Sequence, residues 1–115
     1  MTRNRATARA AGTKWETAIV AALVDHGWPH AERRRLAGAL DRGDIAGVPG
    51  VVIEAKNTKS YDPAGALTEA TREAANDNAP IAAAWIKRHG KTSATEGLVV
   101  ISGATFMQLL KEAGY

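Results

Sequence analysis

Cysteine is absent from this 115-residue chain, phenylalanine occurs once and proline four times, and no apolar run approaches the roughly 20 residues that cross a bilayer. The missing thiols exclude disulfides, thiolate zinc sites and cysteine nucleophiles, and agree with a reducing, cytoplasmic setting. The polar opening Met1-Thr2-Arg3-Asn4-Arg5 leads into no apolar stretch of signal-peptide length, so the chain is expected to be unexported, with no membrane partner. What is present, 45% hydrophobic and 23% charged residues, fits one compact domain. A chain this short buries roughly 60–70% of its unfolded surface, enough for a single core without covalent staples.

Charge is unevenly spread. The net charge is +3, and residues 1–60 hold 10 basic and 6 acidic residues against 5 and 6 in 61–115. Arg3, Arg5, Arg9 and Lys14 precede the first acid, and Arg33-Arg34-Arg35 follow. Such a distribution forms a solvated basic face and attracts phosphate-rich partners.

Residues 1–11 lack an apolar period and read as a flexible basic arm, which leaves 12–115 as the single domain. Thr13 and Glu16 make a T-x-x-E capping box, after which Trp15, Ile19, Ala22 and Leu23 recur at helical spacing until His26-Gly27. His30 to Leu36 alternates loosely, like a strand. Gly43 to Val48, Pro49-Gly50 and Val51 to Asn57 read as a hairpin whose Pro-Gly supplies the torsions of a type II turn. Asp62-Pro63 starts a second helix reaching residue 76, with Leu67, Ala70 and Ala74 inward and Glu69, Arg72 and Glu73 on the other face. The apolar runs Ile81–Ile86 and Leu98–Ile101 predict central strands, separated by an exposed polar loop from Lys87 to Glu96. Phe106, Leu109 and Leu110 place an apolar face on a closing helix from about Ala104 to Ala113. The order αβββαββα predicts an α/β fold, a mixed five-stranded sheet with helices on its faces and a helical crossover from the Glu54 strand to the strand at Ile81.

Chemistry concentrates in Ile53-Glu54-Ala55-Lys56, where a strand in an apolar sheet carries an acid and a base two residues apart, hence on one face. Such charges are costly to bury unless paired or bound to an ion. Asp44, across the hairpin, is the natural third member, and a divalent cation between two carboxylates keeps both ionised. Oxygen-only ligation by Asp44, Glu54 and the Ala55 carbonyl suits a hard ion, Mg²⁺ or in its place Mn²⁺. A strict two-residue loop at Pro49-Gly50 would set Asp44 opposite Ala55 and away from Glu54, so a shared site demands a bulge, a three-residue loop or splayed strands. Gly47 and Gly50 both permit one.

Gly12-Thr13-Lys14-Trp15-Glu16, the run Arg33 to Arg35, Gly43-Asp44-Ile45 and Glu54-Ala55-Lys56 together resemble the PD-(D/E)xK nuclease superfamily. Within it they are most similar to archaeal-type Holliday-junction resolvases and related phage enzymes. The motifs cover residues 12–59, and Gly43 stands where the family has proline before its first Asp. The resemblance implies a restriction-endonuclease-like fold and Mg²⁺-dependent hydrolysis of DNA. Asp44 and Glu54 would bind the metal, Glu16 would approach it from the first helix, and Lys56 would orient or activate the attacking water and neutralise charge.

The expected function is a structure-selective endonuclease that resolves Holliday junctions, working as a homodimer on branched or duplex DNA. The alternatives are a nicking or restriction-like nuclease of the same fold and a noncatalytic DNA-binding module in which Asp44, Glu54 and Lys56 form a buried ion network. Phosphate contacts are expected from Arg3, Arg5, Arg9, Lys14, Arg33, Arg34, Arg35, Arg42, Lys59, Lys87, Arg88 and Lys91. His26 and His30 are separated by Gly27 and Pro29, which break the helix a metal pair would need. Ser93 and Ser102 sit in no nucleophile motif, and Trp15, Trp28 and Trp85 read as core.

Overall fold

The computed structural model describes residues 4–35, 38 and 40–115; Arg3 and Leu36 lie outside the described residues. The protein is α/β, with three helices and a five-stranded mixed sheet. The chain runs α1 (Arg5–Asp25), β1 (Glu32–Arg33), β2 (Ile45–Ala46), β3 (Val51–Lys56), α2 (Pro63–Asn76), β4 (Ile81–Ile86), β5 (Leu98–Val100) and α3 (Gly103–Glu112), the order expected from the sequence. Neighbours in the chain are neighbours in the sheet. Among the described residues only β3 and β4 pair in parallel, Val51 beside Ile81 through Lys56 beside Ile86, and α2 supplies their crossover.

The first helix starts earlier than the capping box indicates. Asn4 is its N-cap, with Oδ1 accepting from the Thr7 amide at 2.8 Å. Residues 5–11, expected as an arm outside the domain, are therefore helical. Their alanines favour a helix by propensity alone, without the apolar period that marks a buried one. Thr13 lies inside the helix, where its carbonyl accepts the Thr17 hydroxyl at 2.9 Å. It has no N-terminal amide to cap, and Glu16 is released from the capping role.

Strand alternation divides the core between the two faces of the sheet. Trp15, Ile19 and Leu23 of α1 pack with Ile45 and Ile53, and Val51, Ala55 and Trp85 border that cluster. Trp15 Nε1 donates to the Trp85 carbonyl and Trp85 Nε1 to the Ala94 carbonyl, both at 3.0 Å. This relay fastens α1 to β4 and to the 3-10 turn at Ala94–Glu96. Trp28, expected in the core, sits past the helix end on the turn and is 41% exposed. On the other face α2 lays a seam of buried alanines, Ala66, Ala70 and Ala74, towards the sheet, with Ala66 packed among Ala84, Ile86 and Val100.

The C-terminal elements depart from expectation. β5 is an edge strand rather than a central one, and Leu98 and Val99 are about half exposed. An apolar run signals surface to be covered but not what covers it. The closing helix forms as expected, yet none of its residues is buried, and Phe106, Met107 and Leu109 stand open. Among the described residues no helix is long and apolar enough to cross a membrane.

Candidate functional site

The β2–β3 hairpin decides whether the two acids can meet. Val51 N donates to the Val48 carbonyl at 3.2 Å across Pro49-Gly50, and Gly50 has φ +79°. Continued regularly, that turn would face Asp44 with Ala55. Ile45 instead lies opposite Ile53. The one-residue shift is absorbed at Gly47, at φ +95°, where an added Cβ would collide with the His30 carbonyl. Continued one step further, the shifted register brings Asp44 to Glu54 on a shared face.

Regular pairing stops there. The Asp44 amide donates to the Ile53 carbonyl at 3.0 Å, while Asp44 Oδ2 accepts from the Ala55 amide at 2.8 Å. The N–H and C=O of a strand residue point to the same edge, so the Ala55 carbonyl also faces Asp44. The structure thus gathers Asp44, Glu54 and Ala55 at one edge of β3.

Alternation sends Ile53 and Ala55 to the α1 side and Glu54 and Lys56 to the α2 side. Lys56 Nζ lies 3.6 Å from Glu54 Oε1 and is in direct contact with Glu69 Oε2. Glu16, on α1, stands across the sheet and pairs with Arg33 at 3.8 Å. It senses the charge of Asp44, but among the described residues the carboxylates that gather within 4.8 Å are Glu54, Glu69 and Glu73.

Glu69 and Glu73 were not among the expected site residues, and the outward placement of Glu73 is incorrect: it is 2% exposed. The seam Ala66, Ala70 and Ala74 carries the missed signal. In a stripe at i, i+4 and i+8, residue 73 occupies i+7 and belongs to the same buried face.

Crowding governs the electrostatics. Burial pushes the Glu54 carboxyl up to about 10, reinforced by Glu73, Asp44 and Glu69. Burial likewise raises Glu73 to about 7, aided by Asp41, Asp44 and Glu69 and opposed by its hydrogen bond with Glu54. Asp44 is raised by burial against the pull of the Ala55 amide, and Glu16 by burial and then Asp44, against Arg33. For Lys56 burial acts to lower the pKa, but Glu69 and Glu54 outweigh it and the ammonium is held above its ordinary value.

A pH dependence follows. Both glutamates ionise near 4.5 when unperturbed but near 7 and 10 in the fold. Above 4.5 the folded chain therefore retains protons that the unfolded chain has released, and stability falls as pH rises. In chelator, the melting temperature is expected to decline between about pH 5 and 8, less steeply in Glu73→Gln. A melting temperature rising across that range would contradict the arrangement.

Basic residues rim the acids. Arg34, Arg35 and Arg42 line a cavity of about 180 Å³ that opens beside Asp44. Arg34 also pairs with Asp77 at 3.4 Å. Arg5 and Arg9 are exposed and, eleven and seven residues before Glu16, share its face of α1; Lys14 lies on the opposite side. Lys87, Arg88 and Lys91 occupy the turn after β4, with the Lys87 amide on the Lys56 carbonyl at 2.9 Å and Lys91 3.6 Å from Glu96. Lys59 lies in the loop after β3. His89 ties that loop to the turn, its Nε2 3.0 Å from the Thr58 carbonyl and its ring stacked on Tyr61 at 4.3 Å. Comparison of the chain with protein-family profiles, curated proteins and solved structures gave no match.

Proposed function

We propose that this protein is a Mg²⁺-dependent, structure-selective DNA endonuclease of restriction-endonuclease-like fold that resolves four-way junctions. One observation carries the reading: the bulge at Gly47 shifts the hairpin so that Asp44 reaches Glu54 and grips the Ala55 amide, with Lys56 alongside. The donors are oxygens only, which suits a hard divalent cation, and buried Glu54 Oε2 has no hydrogen-bond donor other than a neighbouring carboxyl. Such a cation, when bound, supplies the Lewis acidity for phosphodiester hydrolysis.

The chain's own groups divide the remaining work. Asp44, Glu54 and the Ala55 carbonyl would hold the cation. Lys56, kept ionised by Glu54 and Glu69, offers a positive charge where the phosphoryl group gains negative charge. Arg34, Arg35 and Arg42, around the neighbouring cavity, suit the phosphates on either side of the cut. Glu16, paired with Arg33 at the sheet edge, adds a further carboxylate near Asp44. The open apolar surface of α3 and β5 supports a homodimer, which paired incision of a near two-fold junction requires.

The deciding experiment incubates the protein with a four-way junction, a flap, linear duplex and single-stranded DNA, with Mg²⁺, Mn²⁺ or chelator. Paired incisions in the junction are expected with either metal and none in chelator. Preference for flap or linear DNA would make it a nicking or restriction-like enzyme. DNA binding without cleavage of any substrate would reduce the carboxylates and Lys56 to an ion network. Binding should weaken steeply with added salt, and a flat response would remove the nucleic-acid reading.

A further inference from the structure

Helix α2 carries acidic groups that the hairpin site does not require. Glu69 and Glu73 lie one turn apart, and each offers a carboxylate oxygen within 4.8 Å of the other and of Glu54. Oxygens at that separation can share one cation with bonds of about 2.1–2.4 Å. An acidic cluster alone would mean little, but Glu73 is 2% exposed, and among the described residues no donor other than a neighbouring carboxyl is in place for either of its oxygens or for Glu54 Oε2. Buried carboxylates in that condition are costly unless a positive charge meets them.

Lys56 does not meet that need. Its ammonium contacts Glu54 Oε1 and Glu69 Oε2, which leaves Glu54 Oε2 and both oxygens of Glu73 without a donor from it and sets one ammonium among three carboxyl groups. The helix adds to the imbalance, because Glu73 sits in the last turn of α2, where the backbone dipole disfavours a carboxylate and favours a cation.

We propose that Glu54, Glu69 and Glu73 form a second divalent-cation site on the α2 side of β3, sharing only Glu54 with the Asp44–Ala55 edge. Its oxygen-only ligands select a hard ion such as Mg²⁺, Mn²⁺ or Ca²⁺. The site binds whether or not the chain cleaves DNA, so it goes beyond the nuclease reading.

The test is calorimetric titration of the full chain with Mn²⁺, without DNA, at neutral pH and low salt. Wild type is expected to take up two ions per chain. Glu73→Gln and Glu69→Gln should each weaken one of them at least tenfold and leave the other within about threefold. Asp44→Asn should weaken only the ion that those variants spare. Glu69 is partly exposed, so Glu69→Gln decides the matter even if Glu73→Gln does not fold. One ion in wild type, unaffected by Glu69→Gln and lost in Asp44→Asn, would overturn this proposal and leave the nuclease reading standing. One ion lost in Glu69→Gln and indifferent to Asp44→Asn would uphold the α2 site and remove the metal from the hairpin edge.

Discussion

Asp44→Asn and Glu54→Gln are each expected to lower Mg²⁺-dependent junction cleavage by at least about a thousandfold while changing junction binding less than about threefold. The two carboxylates come together where the pairing of β2 with β3 ends, whereas Arg34, Arg35 and Arg42, suited to phosphates, line the cavity beside Asp44. On the proposed reading, loss of a bound metal would therefore separate from loss of DNA binding. Glu54→Gln should also melt higher than wild type in chelator near neutral pH. A neutral amide would replace a 6%-exposed carboxyl that burial and its acidic neighbours oppose ionising. Quantitative cleavage and binding assays, with thermal melts in chelator, check all three effects. Binding that falls in step with cleavage would deny the carboxylates a metal role.

Gly47→Ala is the second large effect, and it acts through register. At φ +95° any other L-residue costs about 1–2 kcal/mol in torsion alone. The added methyl would also collide with the His30 backbone, a contact no side-chain rotation relieves. A total loss of roughly 4 kcal/mol, or 15 °C or more in melting temperature, is expected. Gly90→Ala is the control, since Gly90 has φ +79° but nothing within 4 Å of the added atom. It should cost only about 1–2 kcal/mol. Equal losses at the two glycines would mean that torsion alone matters at Gly47 and that its close approach to His30 does not hold the bulge.

What could be read from the chain is what local chemistry dictates. Pro49-Gly50 closes its turn and Asp62-Pro63 opens α2, with Asp62 accepting from the Gly65 amide, because those residues act on their own neighbours. Glu54 and Lys56 share a face because strand geometry alternates. The hairpin register was legible only as a condition, since a bulge at Gly47 depends on contact with His30 from a distant turn. Glu73 was hidden for a related reason. A glutamate beside Arg72 looks outward until the helix is docked, and the alanines that dock it mark their stripe weakly. The start of α1 was missed because alanine propensity leaves no apolar period. The exposure of β5 and α3 was missed because hydrophobic sequence does not tell its partner.

The alanine seam of α2 has a consequence for the acids beside it in the chain. Each seam residue carries a single methyl, so the helix axis lies near the sheet, and leucines in those places would hold it about 1–2 Å further away. A glutamate is too short to make up much of that distance. The reach of Glu69 and Glu73 is thus gauged by three side chains with no chemistry of their own, and the acidity of the centre can be retuned by altering bulk where no charge is found.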